Sequence, residues 1–261
     1  MCNARSALNA VIHLQGHKDL SKHPLVKRFL KGVFNKRPPL MKPQFTWDPE
    51  VLLCHLIHLG DNDLLTLRDL TLKLVALLML LSGQRVHCVH SFSTVAMDVT
   101  TNSYTFYPTV LLKHSRQTFR GKPIVFRSYP HRPELCVIRT LNEYIRRTST
   151  LRSTEALLIT HRKPHGKAHR DTVARWLKQA LNEAGITQFT AHSCRGAGTS
   201  YAHKTANLTV KDILNQGQWT RESTWFKFYK KDILNPVITV HYGTQILNAY
   251  CKRDTIIQGG V

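Results

Sequence analysis

The chain has 261 residues, 42% of them hydrophobic and 20% charged, which fits one large folded domain, or a domain with a smaller partner, and excludes a disordered chain. Lys and Arg number 37 against 16 Asp and Glu, for a formal net charge of +21; this exceeds what solubility needs and points to a polyanion, nucleic acid first, although a basic protein of the ribosome-associated kind has the same balance. The six cysteines form no C-x-x-C pair and no disulfide-like framework, which suits a reducing compartment.

Residues 1–46 are basic and loosely patterned. Within them "HPLVKRFLKGVF" reads as an amphipathic helix with Leu25, Phe29, Leu30 and Val33 on one face, and "NKRPPLMKPQF" reads as an extended linker. No secretory signal opens the sequence. A new unit starts near Trp47. "DPEVLLCHLIHLG" has Asp48 as N-cap and Pro49 at the first helical position. "LLTLRDLTLKLVALLMLLSG" is a long apolar helix stopped by Gly83. It carries Lys73 and is short for a bilayer, so it is expected to be a buried core helix and not a membrane span. "HSFSTVAMDV", "SYTFYPTVLLKH" and "KPIVFRSY" follow, with turns at Asn102-Ser103 and Gly121, and predict a small antiparallel sheet.

From Pro133 the helical pattern returns in "PELCVIRTLNEYIRRTS", "DTVARWLKQALNEAG", "TAHSCRGAGTSYAHK", "TVKDILNQG" and "ESTWFKFYKK", with "VITVHYGTQILNAYC" as a last candidate. The fold class expected is therefore mainly α with a small antiparallel β-sheet (α+β). His161, His165 and His169 have the spacing of a metal stripe. Pro164 and Gly166 interrupt any helix there, so no metal site is expected.

Five stretches carry chemistry-bearing groups. In "LSGQRVH", Arg85 follows the end of the most apolar helix, where a cation is held rigidly and complements the negative helix end; an ordinary C-terminal arginine reads the same way. In "VLLKHSR", Lys113 closes a β-run and opens a hairpin turn, from which it swings into a groove or stays solvated. In "AHSCRGAG", His192 and Arg195 stand at i, i+3 and share a helix face suited to an anionic oxygen, although such pairs are common on surfaces. The small residues Gly196, Ala197 and Gly198 let a backbone or a DNA strand approach. Trp219 offers an indole N–H, a donor only. Tyr229 ends "WTRESTWFKFY" and by itself reads as a packed aromatic, with Trp225, Phe226 and Phe228 anchoring the short helix before it. No paired acids stand at two-metal spacing and there is no P-loop, so phosphate chemistry here is expected to need no metal and no cofactor, with arginines in the metal's place.

The order Arg85, hairpin Lys113, His192-x-x-Arg195, Trp219, Tyr229 resembles the tyrosine recombinase (phage integrase-like) family over roughly residues 44–235. The texture of "HPLVKRFLKG", "LKLVALLMLLSGQR", "AHSCRGAGTSYA" and "WTRESTWFKFY" is most similar to the recombinases of DIRS-type retrotransposons and related eukaryotic elements, where Trp commonly fills the fifth position. The resemblance implies a remnant of a helical core-binding domain plus basic linker at 1–43, a catalytic domain at 44–235 and a C-terminal helix or tail at 236–261. It implies Tyr229 as nucleophile, Arg85 and Arg195 on the non-bridging oxygens, His192 and Trp219 as further donors, and Lys113 as general acid. It also implies double-stranded DNA as partner, self-association as a tetramer on two duplexes, no membrane, and a nuclear, reducing location. Lys163, Lys167, Arg170, Arg175, Lys204 and Lys211 are expected on the DNA-facing surface. Two departures stand out. The family's acidic brace three positions after the first arginine is here Cys88, and only the last part of the core-binding domain is expected. The competing expectations are an inactive DNA-binding relic or domesticated domain, and a type IB topoisomerase-like relaxing enzyme.

Overall fold

The computed structural model describes residues 2–14, 19–38, 44–112, 115, 117, 121–205 and 208–234. Lys113 and the expected helix "VITVHYGTQILNAYC" lie outside these residues. The chain divides into two compact units, 1–43 and 44–261.

The first unit holds α1 (Cys2–Leu14), a 3-10 turn at Leu20–Lys22 and α2 (Pro24–Lys36). Helix α1 was not anticipated; its sequence is rich in Ala and Leu, good helix formers, while its apolar spacing is irregular. Pro24 starts α2 and the His23 ring accepts the Leu25 N–H as N-cap. The expected apolar face needs correction. Val26, Leu30 and Val33 are the half-buried row, at i, i+4, i+7, whereas Leu25 and Phe29 are exposed.

The second unit begins with β1 (Phe45–Thr46) and α3 (Pro49–His58), the latter capped by Asp48 through the Glu50 N–H. Helix α4 (Leu67–Ser82) runs through the centre, buried on nearly all sides as its unbroken apolar composition requires. Its one interior charge, Lys73, is fully buried and donates to the Gly60 carbonyl at 2.9 Å. No helix among the described residues is long and apolar enough to cross a membrane. The chain then turns through Gly83, which takes the left-handed conformation (φ 61°) that ends a helix without a Cβ penalty, into α5 (Val86–His90).

Strands β2 (Met97–Thr100), β3 (Ser103–Phe106) and β4 (Ile124–Arg127) form an antiparallel sheet in the order β2-β3-β4. Tyr104, Phe106, Ile124 and Phe126 face inward, and Phe92 from the end of α5 stacks on Phe106 with ring centroids 4.3 Å apart. The β-run expected to reach Lys113 stops at Phe106. Tyr107 is followed by Pro108, which removes a ladder donor, and residues 107–112 are irregular.

Helices α6 (Val137–Thr148) and α7 (Arg170–Glu183) flank α4. Then come α8 (Ser193–Lys204), α9 (Val210–Gly217), α10 (Glu222–Phe228) and β5 (Asp232–Ile233). Strand β5 pairs in parallel with β1, so the chain just past Tyr229 is bonded to the start of this unit. The fold is thus mostly helical with small sheets.

Candidate active site

Four of the six expected site residues converge. Helix α8 carries His192 at its N-cap and Arg195 in its first turn. Arg195 is 1% exposed, a burial that a guanidinium tolerates only with partners. One of its nitrogens, Nη2, donates to the Gly217 carbonyl at the end of α9. Its Nε and Nη1 are buried with no hydrogen-bond partner among the described residues. The guanidinium lies over two rings, 3.9 Å from the Trp219 ring centroid and 5.1 Å from that of Tyr229. Trp219 and Tyr229 lie 4.9 Å apart, and the exposed His192 ring is 5.9 Å from Tyr229. The Trp219 indole N–H is buried and unpartnered too. Three orphaned donors around one half-buried phenol describe a socket for an oxyanion, because unpaired buried donors are costly and an anion satisfies them.

Arg85 joins them from another side. It is the N-cap of α5, half-buried, and close enough to Arg195 to act on its charge. Burial first, and then Arg85, lower the Arg195 pKa to about 10. Among the described residues neither arginine has a carboxylate partner. Cys88, one turn into α5, is buried and its thiol is pushed up to about 12 by desolvation, against the opposing pull of Arg195 and Arg85. It stays protonated and supplies no counter-charge.

The second row of residues was not expected from the sequence. Gln84 donates its side-chain amide to the Gln216 carbonyl at 2.6 Å, and Gln216 answers to the Ser82 carbonyl at 3.1 Å, which joins the end of α4 to the end of α9. Gln218, and not Gly217, takes the left-handed conformation after α9 (φ 53°), and the Trp219 N–H closes back on the Leu214 carbonyl. The Gln218 side chain pairs with both backbone groups of Lys122, fixing the entry to β4 against this turn. Gly217 has to be glycine, since a Cβ there would lie 1.8 Å from the Trp219 ring. The stretch "NQGQW" carries no periodic signal in the sequence.

The anchoring of α10 also differs from expectation. Trp225 is fully buried and donates its indole N–H to the Thr199 hydroxyl at 3.1 Å. Phe226 and Phe228, expected as co-anchors, are 39% and 51% exposed. The glycines of α8 admit backbone, not an open groove. A Cβ on Gly196 would stand 3.3 Å from the Tyr229 carbonyl oxygen, and one on Gly198 3.1 Å from that of Leu80.

Lys163, Lys167, Arg170, Arg175, Lys204 and Lys211 are all exposed, on the loop before α7, on α7 itself and at α8 and α9. Arg170 is partly offset by Asp171 at 3.1 Å. The three stripe histidines go separate ways: His161 packs on Trp176, His165 bonds the Thr160 carbonyl, and His169 caps α7.

No protein-family model matches the sequence, and no curated protein matches it significantly. Solved structures do match. The crystal structure of XerA recombinase aligns at TM-score 0.54 with 14% identity, over 77% of this chain and 63% of that one. The pre-cleavage complex of XerH site-specific recombinase with difH substrate aligns at TM-score 0.52 with 12% identity, over 72% and 51%. A lambda integrase dimer bound to a COC′ core site aligns at TM-score 0.51 with 16% identity, over 87% and 58%. The chain has the fold of a tyrosine recombinase catalytic domain and spans less than two thirds of the length of these proteins.

Proposed function

We propose that this chain cleaves and rejoins double-stranded DNA through a 3′-phosphotyrosyl intermediate. The observation that carries this reading is the buried Arg195, with two unpartnered donors, laid over the rings of Trp219 and Tyr229 beside an uncompensated Arg85. A scissile phosphate in that socket would meet both guanidiniums and the Trp219 N–H, which neutralise its non-bridging oxygens as charge develops. The Tyr229 oxygen then forms a bond to phosphorus while the bond to the 5′ oxygen breaks. His192 takes the tyrosyl proton and Lys113 gives one to the leaving oxygen. The phosphotyrosyl bond keeps the energy of the broken one, so a 5′ hydroxyl reverses the step without ATP.

On the same reading, the exposed basic residues follow the DNA backbone, and copies of the chain assemble as a tetramer on two duplexes. The proposed setting is a DIRS-type mobile element acting in the nucleus. The test is a pool of nicked duplexes of randomised sequence, in which loss of a short strand traps the adduct. Wild type should give a denaturant-stable protein–DNA adduct and Tyr229→Phe none. A folded, DNA-binding wild type without adduct overturns the proposal. That outcome favours the second reading, an inactive DNA-binding relic, for which the neutral Cys88 beside both arginines speaks. Transfer of the trapped strand to a different duplex separates a recombinase from a topoisomerase-like enzyme.

A further inference from the structure

We propose that Ser200 is the positioning residue that seats Tyr229 for attack, an inference that rests on the phosphotyrosyl reading above. Ser200 is buried on α8, one turn past Gly196. Its hydroxyl donates to the Tyr229 carbonyl at 3.1 Å and accepts the Lys231 N–H at 3.0 Å. A single side chain thus grips the backbone on both sides of Lys230.

The neighbouring Thr199 shows the ordinary behaviour of a helical hydroxyl. It donates back to the Arg195 carbonyl of its own helix at 2.8 Å. Ser200 instead reaches across to another segment. The remaining backbone donors of that segment are held as well. The N–H groups of Tyr229 and Lys230 share the Trp225 carbonyl, and that of Asp232 meets Gln44. Gly196 completes the seat, because a Cβ there would stand 3.3 Å from the Tyr229 carbonyl oxygen and press that peptide a few tenths of an ångström away from α8.

The consequence is geometric. Arg195 and Ser200 stand on the same helix, so the phosphate-binding guanidinium and the peptide that carries the phenol move as one body. Ser200 touches neither the phosphate nor the phenolic oxygen. It acts only through where it holds Tyr229. In-line attack tolerates little displacement of the reacting oxygen, so loosening this mount should slow attack strongly.

The test uses an adduct-forming nicked duplex selected from the randomised pool. Ser200→Ala should lower the rate of adduct formation by about 10- to 100-fold, with DNA affinity little changed and the protein still folded, its urea unfolding midpoint lowered only modestly. Ser200→Cys, near in shape with a weaker donor, should fall between. A second arm removes the tyrosine from the chemistry. In Tyr229→Phe, added hydrogen peroxide supplies hydroperoxide anion, which forms the bond to phosphorus as the 5′ oxygen leaves with a proton. Adding Ser200→Ala to Tyr229→Phe should leave that peroxide-supported cleavage unaltered, since the socket itself is intact. An unchanged adduct rate in Ser200→Ala overturns the proposal. Equal loss of adduct and peroxide cleavage also overturns it, by showing that Ser200 merely supports α8. Absence of adduct from wild type overturns instead the phosphotyrosyl reading, and Ser200's role with it.

Discussion

Cys88 occupies a position beside two guanidiniums where electrostatics favours a carboxylate. Burial outweighs the pull of Arg195 and Arg85 on the thiol, so among the described residues the pair of cations has no carboxylate counter-charge. Cys88→Asp should therefore raise the stability of the DNA-free protein, by about 1–3 kcal/mol in urea unfolding, and reduce the thermal stabilisation produced by inorganic phosphate. A destabilised variant would mean that the cost of burying a carboxylate at this site exceeds the attraction of the two arginines. Arg195 itself gives no pH dependence near neutrality. Its pKa in the fold is depressed from 12.5 to about 10, so its burial penalty is fully present below about 10 and is relieved only as pH rises through that value. At Gly217 the constraint is steric. Gly217→Ala forces the methyl into the Trp219 ring, and the expected loss is about 1–3 kcal/mol in urea unfolding together with a changed Trp fluorescence spectrum.

At the level of elements, α5 links the first arginine to the basic loop before α7. His90, at its last turn, bonds the Ala168 carbonyl at 3.0 Å, and its pKa is lowered by burial first and then by Lys167, with His87 and His169 adding to the effect. A histidine depressed in the fold stays neutral there while the unfolded chain takes a proton. The stability it contributes is therefore present above the unfolded value of 6.5 and is lost as pH falls below it. The urea midpoint should drop between about pH 7.5 and about pH 5.5, and drop less in His90→Gln; an equal drop in the variant would remove His90 from the account. The longer elements were readable from local signals: the unbroken apolar run of α4 closed by Gly83, and the apolar stripes of α6 and α7. Strands β1 and β5, two residues each, leave no pattern, and β3 ends early because Pro108 interrupts what composition alone would extend.

Over the whole molecule, the charge of +21 bears on the binding mode proposed above. If the exposed basic residues contact six to ten phosphates, DNA affinity should fall about 10³- to 10⁵-fold between about 50 and 200 mM salt. A flat salt response in a titration of labelled duplex would contradict a backbone-led interface. Neutralising Lys167 and Lys211 should lower that slope by about two without altering which sequences are preferred.

Residue identity and order along the chain were enough to point to a mainly helical fold with a strongly basic surface and, through the family resemblance, to single out Arg85, Lys113, His192, Arg195, Trp219 and Tyr229 as a set, because charge balance, helix periodicity and motif order are properties of the linear chain. The nearness of Arg85 to Arg195, the orphaned donors, the exposure of Phe226 and Phe228, the need for glycine at 217 and the grip of Ser200 on Tyr229 came only with the fold. The grip of Ser200 on Tyr229 and the nearness of Arg85 to Arg195 depend on segments far apart in sequence meeting in space, and the need for glycine at 217 depends on how the Trp219 ring folds back in the turn after α9; no local pattern encodes either.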